Sequence, residues 1–222
     1  MHQYNITLIA TRHQESGRCT SNALYQIIEQ IAPDVIFEEI PSSKFESVYK
    51  GLRQDSLETH TIKRYLNKYS TFHVPVDAET DEITDRFIRS DYQVMLNIFG
   101  RHSIEYSNLF KQRQLFSEEK GFPYLNSDEW TYLSKSIDTL EEQVIKFLKN
   151  DTLTQRYKEW LNLLDIRNNA MIRNIYKYVE INKYENGLFL VGVEHRRQII
   201  DKIKSFEQNH HLRINWNFNY FN

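Results

Sequence analysis

Two histidines, His13 and His195, lie just past the ends of apolar runs at opposite ends of a 222-residue chain. The first run, Tyr4–Ala10, leads into Thr11-Arg12-His13, and the late run, Gly187–Val191, into Gly192-Val193-Glu194-His195. Two further runs end in carboxylates. Asp34–Phe37 delivers Glu38-Glu39, and Thr71–Val76 delivers Asp77 and Glu79. Imidazoles and carboxylates gathered at neighbouring strand ends suit either a divalent metal or general acid–base catalysis. In an open parallel sheet, ligands bind at the carboxyl ends of the strands, where loops and helix N-termini converge. One polar strand end is ordinary. A succession of them carrying ligand-type side chains is not.

Strand geometry narrows the set. Glu38 and Glu39 are adjacent, so they point to opposite faces and only one can face a shared cleft. Gly192 serves either a tight turn or a close approach of the backbone to a ligand. On the helix ahead of the late strand, Arg167 and Asn168 are further candidates: a guanidinium binds a carboxylate or oxyanion in a fork, although pairing with nearby Asp165 would explain Arg167 as well. Arg12, Glu38, Asp77, Asn168 and Glu194 are expected around the substrate, with His13, Glu39, Arg167 and His195 at its centre. The lone cysteine, Cys19, excludes an internal disulfide and any Cys-cluster zinc site, and its default place is buried. His2, His60, His102, His210 and His211 have no partner pattern, and His73 belongs to the core or behind the site. The sequence holds no HExxH, G-x-S-x-G, P-loop or G-x-G-x-x-G.

These residues need a scaffold. Alternation and helical spacing predict a strand at 4–10, a helix at 22–31 ending before Pro33, and a second strand from Asp34. That strand–helix–strand unit is expected to pair in parallel with a right-handed crossover. A helix at 57–69 precedes a third strand at 71–76, where Pro75 predicts an edge or a bulge. Helical runs at 82–99, 103–116, 127–148 and 152–179 follow, interrupted at Gly121-Phe122-Pro123. Strand structure returns at Gly187, with a helix at 196–206 and a last strand at 212–218. The expected fold is a single α/β domain over residues 1–222, a mostly parallel central sheet with a large helical insertion lobe at 80–182.

Composition agrees with an ordinary globular chain: 40% hydrophobic and 26% charged residues, few Gly and Pro, net charge −2. That balance gives no general pull towards nucleic acid or an anionic membrane. No signal peptide or apolar span is visible, so a cytoplasmic protein is expected.

The pattern resembles the TraB/Tiki superfamily, which also takes in the erythromycin-esterase-like and ChaN-like proteins. Its marks are two G-x-x-H motifs at opposite ends of the domain, an acid closing the second strand, and an Arg before the last motif. The resemblance implies that His13 and His195 are the motif histidines, that Arg167 is the family's Arg, and that Glu39 rather than Glu38 is its Glu, since Glu39 precedes an apolar residue. It covers residues 4–41 and 165–205. The first motif departs from the pattern, with Ala10 where the family has Gly.

Members include metal-dependent proteases, esterases and a haem-binding protein, so the likeness does not choose a reaction. The leading expectation is a hydrolase of amide or ester bonds in a small-molecule or peptide substrate. His13, Glu39 and His195 would bind Mn²⁺, Co²⁺ or Zn²⁺ or activate water directly, and Arg167 would hold the substrate or an oxyanion. The alternatives are a non-catalytic binding protein for haem, a small molecule or a peptide, and an interaction module acting through the helical lobe. No nucleic-acid or membrane partner is expected, and self-association is left open.

Overall fold

The computed structural model describes residues 3–209 and 212–221. His2, His210 and His211 lie outside the described residues. The chain forms β1 (Tyr4–Thr11), α1 (Ser21–Ile31), β2 (Val35–Glu38), α2 (Ser42–Tyr49), α3 (Leu57–Leu66), β3 (Phe72–Pro75), α4 (Glu82–His102), α5 (Ile104–Lys120) and α6 (Phe122–Leu125). It continues with α7 (Asp128–Leu148), α8 (Asp151–Ile181), β4 (Asn186–Gly192), α9 (Val193–Asn209) and β5 (Ile214–Asn217). The α/β class and the helical lobe are as the sequence predicts. Helix starts follow capping chemistry: Thr20, Ser56, Asp81, Ser103, Ser127 and Asn150 each accept a hydrogen bond from the backbone amide three residues on.

All pairings in the five-stranded sheet are parallel, in the order β3-β2-β4-β1-β5. Pro75 does end an edge strand, where its missing amide proton costs no ladder bond. The expected pairing of β1 with β2 is corrected. β4 lies between them, because its run Gly187–Val191 is buried on both faces and belongs at the centre of the sheet.

Two layers cover the sheet. On one side Leu24, Ile28, Ile62, Phe122, Leu125 and Trp130 pack against Ile9, Ile36 and Leu190. On the other, Met171, Ile175 and Val179 of α8 join Ile199 and Ile203 of α9 against Leu8, Phe37 and Phe189. A separate cluster, including Met95, Phe99, Tyr106, Ile137, Val144 and Tyr157, forms the interior of the lobe. Helix α8, at 31 residues, belongs to both: its first half lines the lobe and its second half lies on the sheet. α6 and the start of α7 likewise pack on the sheet rather than in the lobe.

Asn126, buried after α6, joins lobe and sheet. Its Oδ1 accepts from the Ala10 amide at 2.8 Å, and its Nδ2 donates to Ala10 O at 3.1 Å and to Phe122 O at 2.9 Å. β5 pairs with β1 only over Tyr4–Thr7, so this side chain takes the place of a neighbouring strand at Ala10. No helix among the described residues is long and apolar enough to cross a membrane.

Candidate functional site

At the carboxyl ends of β1, β2, β3 and β4 a buried charge cluster forms around Arg167. Its Nε donates to both Asp77 oxygens at 3.1 and 3.2 Å, and Nη2 donates to Asp77 Oδ2 at 2.7 Å and to Glu39 Oε1 at 2.5 Å. Nη1 lies 3.1 Å from His195 Nε2. Asp165, the other partner considered, points away and pairs with Lys202 instead. Burial disfavours the charge on Arg167, but Glu39 and Asp77 outweigh that and push its pKa up. For Glu39 burial raises the carboxyl pKa, while the charges of His195 and Arg167 overcome it and hold Glu39 well below the usual carboxylate range.

His195 sits in the first turn of α9, which starts directly after Gly192 and not at residue 196. Its Nδ1 faces Asn168 Oδ1 at 2.6 Å, and the amide Nδ2 of Asn168 donates to Gln198 at 2.7 Å. That network assigns a proton to Nδ1. Nε2 then stands between two partners: protonated, it faces Glu39 Oε1 at 3.3 Å, and unprotonated, it accepts from Arg167.

His13 is the open member, with a side chain 59% exposed. Its Nδ1 is 3.3 Å from Glu58 Oε1, which also accepts from Thr11 Oγ1 at 2.6 Å. The hydrogen bond with Glu58 outweighs the lowering effect of burial, Glu39 adds its charge, and the His13 pKa is raised to about 9. The loop bearing His13 is fastened to α5. Gly17, at φ +54°, brings its backbone so close to Glu118 that a Cβ would collide with the Glu118 carbonyl at 2.2 Å, and Arg18 N donates to that carbonyl.

Gly192 proves to be a matter of space and not of turn geometry, since its φ is not positive. Its amide donates to Glu39 Oε2 at 2.6 Å, and a Cβ there would stand 3.1 Å from that oxygen and 3.6 Å from His13 Nε2. A cavity of about 30 Å³, bordered by His13, Glu39, Glu58 and Gly192, lies beside it. That is room for about one water molecule. Glu58 Oε2, buried on the same cavity's border, has no hydrogen-bond partner among the described residues.

Of the other predicted residues, Glu38 borders the same small cavity, while Arg12 and Glu194 fall elsewhere. Glu38 does face away from Glu39: its oxygens accept from Tyr49 at 2.6 and 2.8 Å and meet His73 Nδ1 at 2.9 Å. Burial pushes its carboxyl up despite these bonds. Arg12 donates to Ser117, and Glu194 pairs with Arg113 at 3.3 Å. Both line a larger cavity of about 670 Å³ between the lobe and α9. Cys19 is fully buried, its thiol pushed up to about 11 by burial, so its default reading stands.

Sequence reasoning missed Glu58 and Arg89. Glu58 comes from a helix face with no strand-end signature, although its place in the first turn of a Ser56-capped helix was readable. Arg89 of α4 faces the cluster, and burial together with the charge of Arg167 lowers its pKa; it has no hydrogen bond or ion pair among the described residues. No such signal marks it in the sequence.

The expected metal ligands do not form a metal site as they stand. Among the described residues no group of three or more His, Cys, Asp or Glu is arranged to hold an ion. The physical reason is Arg167, whose guanidinium already engages the Glu39 and His195 atoms that a cation would need, and whose charge would repel it. No family model, curated protein or solved structure matches the chain.

Proposed function

We propose that the chain hydrolyses an amide or ester bond, in the manner of a TraB/Tiki-like protein, with His13 moving the proton and no metal in the chemical step. One observation supports this reading above the rest: His13 is backed at Nδ1 by Glu58, and its Nε2 borders, with Glu39 and Gly192, a gap the size of one water. A carboxylate on one imidazole nitrogen orients the ring and stabilises the imidazolium formed at the other.

His13 Nε2 takes a proton from water as the oxygen attacks the carbonyl carbon. The same proton then passes to the departing nitrogen or oxygen as its bond to carbon breaks. Glu39, held ionised, and Glu58 stabilise the imidazolium between these steps. Arg167 has its donors committed to Asp77, Glu39 and His195, so it positions rather than binds.

The test is an assay of p-nitrophenyl esters and short peptide amides, with EDTA and with added Mn²⁺. Turnover should rise as pH approaches about 9, where His13 loses its proton. It should survive EDTA and vanish in His13→Ala while circular dichroism shows the variant still folded at the assay temperature. Turnover that depends on added metal overturns the metal-free step. Unchanged turnover in His13→Ala overturns the role of His13, and silence towards every substrate with intact ligand binding favours a binding protein.

A further inference from the structure

The 670 Å³ cavity lies where α4, α5, α7 and α8 meet the first turn of α9, and its size suits a small organic ligand. Arg12 and Glu194 in its wall adjoin His13 and His195 in the sequence, while those two histidines do not line it. Much of its interior is aromatic: Tyr92 stacks on Trp160 at 4.3 Å, and Phe110, Trp130 and Tyr157 also face it.

Its charges are unevenly matched. Arg113 pairs with Glu194 at 3.3 Å, and Arg197 pairs with Asp138. Lys135 and Glu142 are exposed. Glu141, 3% exposed, is different. It accepts from Tyr92 at 3.0 and 3.3 Å and from Tyr106 at 3.4 Å, and no Lys or Arg lies within ion-pair distance among the described residues. A buried carboxylate without a counter-cation, set among aromatic faces, is the chemistry that recognises an ammonium group.

We propose that this cavity binds an organic amine, its protonated nitrogen at Glu141 and its apolar body against Trp160 and Tyr92. The binding claim stands whether or not the His13 centre turns over; its service as the recognition end for a substrate rests on the hydrolase reading. Arg12 is the opposing feature, since its guanidinium has only Ser117 as a partner among the described residues and would draw an anion.

Acidity supports the assignment. Burial raises the Glu141 carboxyl to about 7; Asp138 pushes the same way, while hydrogen bonds from Tyr92 and Tyr157 and the charge of Arg113 resist. Amine binding should therefore weaken as pH falls below about 7 and Glu141 takes up its proton.

The experiment is titration calorimetry of the intact protein with 2-phenylethylamine, 2-phenylethanol and 3-phenylpropionate, with tryptophan fluorescence read in parallel. The amine should bind about tenfold or more tighter than the alcohol, as an ammonium against desolvated aromatic and carboxylate groups implies. Glu141→Gln should remove that preference, and Trp160→Leu, which leaves the carboxylate, should weaken amine binding in a protein that melts normally. His13→Ala should leave it unchanged, which separates this site from the catalytic reading. Tighter binding of the acid would give the cavity to Arg12 and overturn the proposal, as would equal binding of amine and alcohol, or no binding of the amine.

Discussion

Replacing Arg167 with Met keeps length and apolar volume but withdraws the cation from two buried carboxylates. Arg167, Glu39 and Asp77 have side chains only 5–6% exposed, so water cannot replace what is lost. Breaking a buried pair by removing one partner costs about 3–5 kcal/mol, and here two carboxylates lose the same partner, which places the expectation at the upper end. Against a typical stability of about 5–15 kcal/mol, such a loss is large. The sign of its pH dependence follows from Glu39. In the parent its carboxyl is held below the ordinary range, so its contribution is present above the unfolded pKa of about 4.5 and is lost as pH falls through the folded value. Without Arg167 the Glu39 carboxyl loses one of the charges that hold it down, His195 remaining, so it titrates higher than in the parent and protonation at lower pH relieves the variant. The difference between parent and variant should therefore shrink between pH 7 and pH 5. Urea denaturation followed by tryptophan fluorescence at both values measures it. Arg167→Lys, which keeps the charge but not the fork, should lose roughly half as much. A loss under about 1 kcal/mol at pH 7, or one equally large at pH 5, would refute the assignment of Arg167 as the counter-charge of this cluster.

Further outcomes are expected elsewhere. Glu58→Gln should bring the His13 titration, followed by imidazole proton NMR, from about 9 back towards 6.5. Because the raised pKa stabilises the fold fully below about 6.5 and that contribution fades as pH rises through about 9, the variant should be relatively weakest just below pH 6.5 and converge with the parent above pH 9. Gly192→Ala should cut turnover at least about tenfold while lowering stability by less than about 1.5 kcal/mol, because one methyl enters the space beside Glu39 and His13. Asn126→Ala leaves a buried amide and carbonyl of Ala10 without partners, and thermal or urea unfolding should show a loss of about 2–4 kcal/mol.

Much of the scaffold was legible because its signals are local. Ser56, Ser103, Ser127 and Asn150 announce helix starts by their own side chains, and Pro75 announces an edge by its missing proton. The opposed directions of Glu38 and Glu39 follow from the pleat alone. What escaped depends on contacts between distant residues. That β4 enters between β1 and β2 is decided by which strand loses most water on both faces, a comparison across the whole chain. Asp77 and Arg167 are ninety residues apart, so their fork, with Arg167 as a buried anchor rather than a substrate clamp, had no local sign. α2 and α6 escaped because helices of eight and four residues have little intrinsic stability and form here through their packing. The lobe boundary expected at residue 182 falls at the end of α8, a helix whose first half lines the lobe and whose second half lies on the sheet.

The amide of Asn126 has a consequence for how copies of this chain meet one another. β5 stops at Thr7 of β1, and beyond it a stub of that strand would show open backbone groups to any extended peptide that came alongside. Unpaired strand edges of this kind seed edge-to-edge association. Asn126 fills the place with a side chain that cannot be extended into a further strand, and at the opposite margin of the sheet Pro75 denies a donor to the same event. Phe72, 73% exposed, lies on that same margin, so the proline guards the stretch of edge where an apolar side chain would most reward pairing.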